Sequence, residues 1–587
     1  MFAAIQQPDA DILTQGSDGM KTSNTWFDAL TGYQPASTLL ATPVRQGAVW
    51  TVRLDNISAA PVVMQEWLLF DGLAATATTP IYGEGFQMLA QTNGTWAEPQ
   101  PIGRCPDASV YRITPDHGYH SIHNLLMYQT DGGWILLGFA SCHRFGGEFR
   151  LYPDGRLQIL MNTEGLSLLP GVHWESESLV VLAGSDRAQL LATFSEHINR
   201  CHSPLPAQPR ATGWCSWYHY YVEVTREAIE ENVLQMIERF PELEYVQIDD
   251  GYQGAMGDWL LQSDRFAGGL LPLLASIRQA GREPALWVAP FIAEPDSQIF
   301  QQHPEWFIRD ADGSPLPAEK VTYGGWRCTP WYVLDGTLPA VQQHLRQLFH
   351  TLRHEYGIRY FKLDANFWGA LHGGQFADRR ATRIQAYRRG MAAILEGAGD
   401  DVFLLGCNAP FWPSLGLVHG MRVADDVERS GHRFRQIARE IFSRNWQADR
   451  LWQLDPDCLC LLDIPGQSAS PAEYSFHAAM MAACGGMLLL GDRLTDLGAR
   501  QQQVVAGLQK LVQARAPAAR FADDRYLLGQ LPWEQGTLCC YFNWQADPMT
   551  LELPPASQDF WSQEPLPQGE WTLSGYGGLV IWHPGRV

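Results

Sequence analysis

The sequence predicts a multidomain α/β plus β protein, in which a (β/α)8 barrel lies between an N-terminal antiparallel β-sandwich and a small C-terminal antiparallel β-domain. Strand-like runs dominate the first third, short buried runs alternate with amphipathic helices in the middle, and strands return at the end. A chain of 587 residues is also too long for a single hydrophobic core. We predict domain boundaries at 1–205, 206–516 and 517–587.

The N-terminal domain is predicted from strand-like runs such as GAVWTVRLDNIS, PVVMQEWLLF and SLVVLAG. The stretch Tyr152-Pro153-Asp154-Gly155 predicts a hairpin turn, because proline presets φ and glycine accepts a positive φ. So many strands with so few helical periods indicate a large antiparallel sandwich. The proline-rich stretch 203–209 predicts the boundary to the next domain.

The middle domain is predicted from eight short buried runs separated by helical stretches. The runs are ATGWCSWY, YVQIDD, PALWVAPF, IRYFKLD, DVFLLGC, GMRVADD, PDCLCLL and GMLLLGD. In the helical stretch TREAIEENVLQMIERF, Thr225 marks the start, and one apolar face is expected to hold Ile229, Val233, Met236 and Ile237. Doubly wound sheets alternate in the same way, but eight strands are the count of a (β/α)8 barrel. A helix around 501–516 closes the unit.

The C-terminal domain is predicted from the runs TLCCYFNW, MTLELP and GLVIWH, which favour a small β-sandwich.

Composition limits the partners that the chain can have. The formal net charge of −21 would repel phosphate backbones and anionic lipid surfaces, so we expect no nucleic acid and no membrane partner. The first residues show no signal-peptide pattern, and no run is apolar enough to span a membrane. Eleven cysteines without a CxxC pair argue against a disulfide framework. These features predict a cytoplasmic protein, and nothing in the sequence specifies its oligomeric state.

Two acids end apolar runs in a way that suggests chemistry. Asp364 ends the run YFKLD, and Asp426 ends the run MRVADD. Catalytic groups of (β/α)8 barrels occupy the C-terminal ends of strands, and cleavage of a glycosidic bond requires two carboxyl groups. The alternative is that each aspartate only caps the next helix.

Other strand ends carry groups able to contact a sugar, and in a barrel they converge on one face. Aspartates accepting hydrogen bonds from vicinal hydroxyls, with indole rings beneath them, describe a pyranose pocket. Structural alternatives exist for Asp249-Asp250-Gly251 and Asp455-Pro456-Asp457, which are also typical of turns, and for Cys407, which is also typical of a core. The candidate residues are Trp217, Asp249, Asp250, Trp287, Lys362, Cys407, Asn408 and Arg422.

Motifs for other chemistries are missing. The sequence contains no Walker loop, HExxH pair, GxSxG elbow or complete GxGxxG. No histidine stands beside the acids at ligand spacing, and Lys362 would place a cation in any such site. We therefore expect no metal and no cofactor.

A set of eight motifs resembles the glycoside hydrolase family 36 α-galactosidases, particularly the compact bacterial and archaeal members. The motifs follow the family's order from Gly213 to about Asp492. They are GWCSWYHY, QIDDGY, GDW, WVAPF, YFKLD, LGCNAP, GMR with Asp426, and DPDCL.

The resemblance implies an N-terminal β-supersandwich, a catalytic barrel and a C-terminal β-domain. It also implies that Asp364 is the nucleophile and Asp426 the acid/base. Asp249 and Asp250 would bind the O4 and O6 hydroxyls that define galactose. Further sugar contacts would come from Trp217, Trp287, Lys362, Cys407 and Arg422.

The chain departs from the family's pattern at three places. Asn408 stands where the family commonly has glycine, beside the cysteine near the sugar's C2 substituent. Ala424-Asp425-Asp426 replaces Gly-Pro-Asp, so a second acid adjoins the proposed acid/base. Leu454-Asp455-Pro456-Asp457 replaces Asn-Asp-Pro-Asp. These departures leave the preferred sugar open.

By resemblance, the predicted activity is hydrolysis of terminal α-linked galactose from small galactosides of the melibiose or raffinose type, by double displacement. A C2-modified substrate such as an α-N-acetylgalactosaminide is one alternative, and galactosyl transfer of the raffinose-synthase type is another. A non-catalytic sugar-binding protein is a remote alternative, since such a protein would be expected to have lost one of the two acids.

Overall fold

A computed structural model describes residues 38–114 and 117–585. The predicted lack of a signal segment and the start of the first domain lie outside the described residues. Within them, no helix has both the length and the apolar character needed to cross a lipid bilayer.

Twelve antiparallel strands form the N-terminal sheet of the described residues. The predicted turn joins two of them: Gly155 has a φ of 92° and donates its N–H to the carbonyl of Tyr152. The strands are Leu39–Gln46, Val49–Asn56, Val62–Leu73, Ile81–Glu84, Gln91–Gly94, Pro99–Pro101, His120–Thr130, Gly133–Phe139, Gly146–Leu151, Arg156–Leu168, His173–Glu175 and Leu179–Gly184.

A helix that was not predicted, Arg187–Cys201, follows this sheet. Its buried residues include Leu190, Leu191, Phe194 and Ile198, which share one helical face. The ring of Phe194 stacks with Trp412, so the helix connects the sheet to the following domain.

Eight parallel strands form the central barrel. The strands pair in chain order, and the eighth lies beside the first. The barrel closes between the seventh and eighth strands, where the N–H of Met487 donates to the carbonyl of Leu454 at 2.9 Å. The strands are Thr212–Cys215, Tyr245–Ile248, Glu283–Val288, Tyr360–Leu363, Phe403–Gly406, Gly420–Arg422, Gln453–Asp455 and Leu488–Leu490. A two-stranded sheet, Ile292–Ala293 with Tyr332–Val333, lies in the loop after the third strand.

Two local predictions for the barrel were wrong. The seventh strand is Gln453–Asp455 and not the run 456–462, because Pro456 has no N–H for the ladder and Asp457 has a φ of 73°. Ile237 is 42% exposed, because the buried face of its helix consists of Ile229, Asn232, Val233 and Met236. Thr225 does begin that helix, since its side chain accepts the N–H of Ala228.

Helices follow seven of the eight strands within the described residues. After the fifth strand the chain has only the short 3₁₀ turn Trp412–Ser414, and the N-terminal sheet packs there, with the N–H of Phe411 donating to the carbonyl of Phe86 at 2.7 Å. The α-helices of this domain are Trp217–Tyr220, Arg226–Arg239, Leu270–Gln279, Gln298–Gln302, Pro339–His354, Arg383–Ala398, Gly431–Arg444, Pro471–Cys484 and Ala499–Gln513.

The C-terminal part is antiparallel, as predicted, and forms a five-stranded and a two-stranded sheet among the described residues. Its strands are Arg520–Phe521, Leu528–Trp533, Gly536–Phe542, Met549–Leu553, Gln558–Asp559, Gly569–Leu573 and Gly578–His583.

Candidate active site

Asp364 lies directly after the fourth barrel strand and is held by two donors. The indole N–H of Trp287 donates to its Oδ2 at 3.0 Å, and the N–H of Ala365 donates to its Oδ1 at 2.6 Å. Ala365 has a φ of 53°, a left-handed conformation that is uncommon for alanine. Burial raises the pKa of Asp364, while the charge of Lys362 and the two N–H donors oppose that rise. The carboxylate is therefore fixed in position at the barrel mouth.

Lys362 and Asp249 form a buried ion pair beneath this carboxylate. The ammonium donates to Asp249 Oδ2 at 3.0 Å, and the same oxygen accepts from Gln247 at 2.7 Å. Burial alone would lower the pKa of Lys362, but the Asp249 carboxylate raises it well above its usual range. Lys362 is thus a fixed cation inside the barrel, and Asp249 is a core partner rather than an exposed turn residue.

Asp250 pairs with Arg327, a residue that the sequence analysis missed. Arg327 Nε donates to Asp250 Oδ2 at 2.7 Å, and a second guanidinium nitrogen contacts Oδ1. Gln253 donates to the same Oδ1 at 2.6 Å. The only sequence signal for Arg327 is its position in the glycine- and tryptophan-rich stretch GGWRC between the third and fourth strands.

Arg422 lies fully buried at the end of the sixth strand and connects two carboxylates. One of its terminal nitrogens donates to Asp426 Oδ1 at 2.7 Å and to Asp457 Oδ2 at 2.6 Å. Asp457 Oδ2 also accepts from the Tyr218 hydroxyl and from the N–H of Val427. Burial raises the pKa of Asp457 to about 6. Asp457 does form a local turn with Asp455, as the sequence suggested, but its carboxylate belongs to the Arg422 cluster.

The adjacent acids Asp425 and Asp426 have opposite environments. The Asp426 side chain is 57% exposed, whereas the Asp425 side chain is 7% exposed. Asp425 accepts from Arg104 at 2.5 Å and from Arg433. Burial would raise the pKa of Asp425, but these arginines hold it below its usual value. Of the two acids, only Asp426 is open to a ligand.

The other predicted residues surround these carboxylates to different degrees. Cys407 is buried, with its Sγ 3.8 Å from a nitrogen of Arg422, and burial raises the pKa of its thiol well above the usual value. Asn408 has a φ of 43°, which asparagine tolerates better than most residues, and its Oδ1 accepts the Tyr111 hydroxyl at 2.7 Å. Trp217 is half-buried and packs edge-on against Tyr221, without a hydrogen bond to the acids among the described residues.

The arrangement supplies two carboxylates with different surroundings. Asp364 is held by N–H donors close to the buried ammonium of Lys362. Asp426 is exposed and accepts a hydrogen bond from one guanidinium nitrogen of Arg422. Two carboxyl groups in such different settings can take different parts in one reaction, because one is fixed in position and the other is open to a ligand. Within the part of the chain that the structure describes, no cluster of three or more His, Cys, Asp or Glu side chains could hold a metal ion.

Parts of the chain are similar to a known family model and to known proteins. The Melibiase family model matches residues 194–397. An α-galactosidase of Escherichia coli is 30% identical over 167 residues, covering 27% of this chain and 22% of that protein. An A type blood α-D-galactosamine galactosaminidase of Flavonifractor plautii is 40% identical over 83 residues, covering 14% of this chain and 8% of that protein. The chain thus spans about a fifth or less of the length of these curated relatives.

A solved structure extends the likeness to most of the chain. The α-galactosidase of Thermus thermophilus in complex with p-nitrophenyl α-D-galactopyranoside has a TM-score of 0.62 and 22% identity. The match covers 84% of this chain and 98% of that one, and it shows a shared fold. Asp364 lies inside the family match, whereas Asp426 lies beyond it. Residues 194–397 thus match the Melibiase family model, and this match supports the resemblance inferred from the sequence motifs.

Proposed function

We propose that the chain is an exo-acting, retaining α-galactosidase that releases terminal α-linked galactose from small galactosides. The observation that carries this proposal is the contrast between Asp364, fixed by the Trp287 indole, and Asp426, exposed beside Arg422. Asp364 directly follows the fourth barrel strand and Asp426 lies four residues after the sixth, and the first lies inside the family match. A retaining glycosidase needs this pair, with one nucleophile and one acid/base.

In the proposed reaction, an Asp364 oxygen attacks the anomeric carbon while Asp426 gives its proton to the departing glycosidic oxygen. A covalent β-galactosyl ester forms and the alcohol leaves. Asp426 then takes a proton from water, the water oxygen attacks the same carbon, and the ester bond to Asp364 breaks. Two inversions leave the α configuration unchanged. Lys362 and Arg422 keep their charges fixed near the reacting atoms throughout.

The galactose ring is proposed to be bound by the groups around the two acids. Asp250 and Arg327 together present a carboxylate and a guanidinium, which suits the O4 and O6 hydroxyls, and Asp249 is the second carboxylate on this side. Trp217 and Trp287 would supply apolar surface for the ring. The C2 side would face Cys407, Asn408 and Arg422.

We infer domain boundaries at 1–205, 206–516 and 517–587. They are supported by where regular structure ends: the last strand of the first sheet ends at Gly184 and the first barrel strand begins at Thr212. The last barrel helix ends at Gln513, and the next strand begins at Arg520. All eleven cysteines are free thiols, which supports a reducing, cytoplasmic setting.

The test is a panel of p-nitrophenyl glycosides with the purified protein. We expect turnover of the α-galactoside and little or none of the β-galactoside and the α-glucoside. NMR of the first product should show α-galactose, since β-galactose would indicate a single displacement. A clear preference for the α-N-acetylgalactosaminide or the α-galactosaminide would favour the sugar named for the Flavonifractor relative. Raffinose incubated with sucrose would reveal transfer instead of hydrolysis.

Asp335→Asn is a matched control for the catalytic variants. Asp335 is also a buried aspartate of the barrel loops, and it accepts the N–H of Thr337 at 2.9 Å and the N–H of Ala377 at 2.6 Å. It makes no hydrogen bond to the proposed site residues. We expect this variant to lose stability without losing the preference for α-galactosides.

A further inference from the structure

The segment 102–113 of the N-terminal part reaches the barrel site through two side chains. Arg104 Nε donates to Asp425 Oδ2 at 2.5 Å, and the Tyr111 hydroxyl donates to Asn408 Oδ1 at 2.7 Å. Asp425 adjoins the proposed acid/base, and Asn408 follows Cys407 at the end of the fifth strand. Both partners are positions where the chain departs from the family's motifs, so a single segment serves two unusual residues.

The segment is anchored firmly on the N-terminal sheet. The buried carboxylate of Asp107 accepts the N–H of Phe86 at 2.5 Å and the side-chain amide of Gln87 at 3.1 Å. Phe86 in turn accepts the N–H of Phe411 at 2.7 Å, just beyond Asn408. The sheet, the segment and the end of the fifth strand are therefore joined by continuous hydrogen bonds.

Glycine at position 103 allows the segment to lie close to the barrel. A Cβ there would stand 2.4 Å from Oε1 of Glu440 and 3.0 Å from the Leu89 carbonyl oxygen. Glu440 Oε2 accepts the N–H of Asp425 at 2.7 Å. The close approach of the segment thus occurs at the group that holds the Asp425 backbone.

Arg104 acts on Asp426 through Asp425. Oδ1 of Asp425 accepts the N–H of Asp426 at 2.8 Å, while Oδ2 is held by Arg104 and Arg433. These arginines fix the carboxylate that holds the Asp426 backbone, and they neutralise the negative charge that adjoins Asp426 in the chain. Losing Arg104 would loosen the group that must deliver a proton at a defined position.

Tyr111 acts on the C2 side of the sugar through Asn408. The tyrosine hydroxyl takes one of the two lone pairs of Oδ1, and this bond fixes the orientation of the amide and of its two N–H donors. The Tyr111 ring also packs edge-on against Phe367, with centroids 4.6 Å apart, three residues after Asp364. The tyrosine therefore joins the loop that follows the nucleophile to the residue beside C2.

We propose that segment 102–113 is a wall of the active site, in which Arg104 positions the acid/base and Tyr111 orients Asn408 as a donor that sets the C2 preference. The proposal rests on the α-galactosidase function proposed above. Both residues are positioning residues, since each acts through a barrel side chain. The wall favours a C2 group that accepts a hydrogen bond from the Asn408 amide and is small enough to lie beside it, as a hydroxyl is.

A double-mutant cycle tests the tyrosine. Tyr111→Phe should lower kcat/KM on p-nitrophenyl α-galactoside by about fivefold, but by less than about twofold in an Asn408→Gly background, because the residue it orients is then gone. Tyr152→Phe is the control: its hydroxyl donates to Gln158 at 2.9 Å within the N-terminal sheet. Equal losses in both backgrounds would show that Tyr111 acts by packing alone.

A leaving-group comparison tests the arginine. Arg104→Met should lower kcat/KM on raffinose about tenfold more than on p-nitrophenyl α-galactoside, because only raffinose needs strong protonation of its leaving group. Arg104→Lys should recover most of this ratio. Arg53→Met is the control, since Arg53 is a similarly exposed partner of Asp55 at 2.8 Å. A purely structural role would lower activity on both substrates alike, together with the melting temperature.

The outcomes separate the two proposals. A parent enzyme without activity on any α-galactoside overturns the proposed function and the wall with it. An active parent in which Arg104→Met leaves the substrate ratio unchanged, and Tyr111→Phe loses equally in both backgrounds, overturns the wall alone.

Discussion

Replacement of the proposed nucleophile gives the sharpest test of the mechanism. Asp364→Gly removes the attacking carboxylate and leaves the indole N–H of Trp287 without its acceptor at 3.0 Å. The unsatisfied N–H of Trp287 should cost about 1–3 kcal/mol of folding free energy. Part of this cost is offset, because the partly buried charge of Asp364 no longer has to be desolvated. The melting temperature should therefore fall by only a few degrees. Turnover should fall by at least about 10⁴, equivalent to about 5.4 kcal/mol of transition-state stabilisation.

Azide rescue separates this loss from a folding defect. Azide can occupy the space of the missing carboxylate and attack the anomeric carbon of p-nitrophenyl α-galactoside, so release of nitrophenol should recover as azide is added. A single displacement gives β-galactosyl azide, which NMR distinguishes from the α-anomer. Formation of the α-azide, or near-normal turnover without azide, would refute the assignment of Asp364.

The pH profile gives an independent check on the same carboxylate. Burial raises the pKa of Asp364 and the Trp287 N–H lowers it, so Trp287→Phe should raise the pKa further. The nucleophile must be ionised, and the acid limb of kcat/KM should therefore move to higher pH in this variant. Asp457, whose pKa is about 6, has no hydrogen bond to Trp287. A limb that does not move would assign it to a group other than Asp364.

Three further predictions concern the remaining roles. Asp426→Ala should retain most of its glycosylation rate on an activated aryl galactoside and lose most of its activity on raffinose. If Asp425→Ala shows this selective loss instead, Asp425 is the acid/base. Asp250→Asn should weaken galactose binding in calorimetry by about 1.5–3 kcal/mol, because the charge-assisted bond that we propose between Asp250 and the sugar would be lost and Arg327 would be left unneutralised. Unchanged binding would show that the Asp250–Arg327 pair is structural. Asn408→Gly should lower kcat/KM on galactosides by an amount equivalent to about 1 kcal/mol of transition-state stabilisation, and it should raise the relative activity on N-acetylgalactosaminides. A parent enzyme that already prefers N-acetylgalactosaminides would contradict this prediction.

The acids at the strand ends could be predicted from the sequence because their signal is local. A strand that stops at an acid places it at the barrel mouth, wherever the other strands lie. The sequence placed two adjacent acids, Asp425 and Asp426, after the sixth strand, and either of them could face the site. It could not tell which, because the answer depends on Arg104, which is 321 residues away from Asp425 in the chain.

The residues that were missed lie in stretches without periodicity. Arg327 reaches Asp250 across 77 residues, and Tyr111 reaches Asn408 across 297. Loop residues carry no hydrophobic pattern that would predict their partners, so no single-sequence signal identifies such contacts. The seventh strand was misplaced for a related reason: an apolar run does not reveal which of its residues pair.

The sequence by itself determined the eight-strand rhythm, the antiparallel flanking segments and the acids and cations at the strand ends, because hydrophobic periodicity and strand termination are local properties of the chain. Tertiary structure alone decided which acid is exposed, which arginine meets Asp250, and how the N-terminal sheet takes the place of a helix after the fifth strand. Those outcomes depend on neutralising buried charge and satisfying buried polar groups, which requires partners brought together only by the fold.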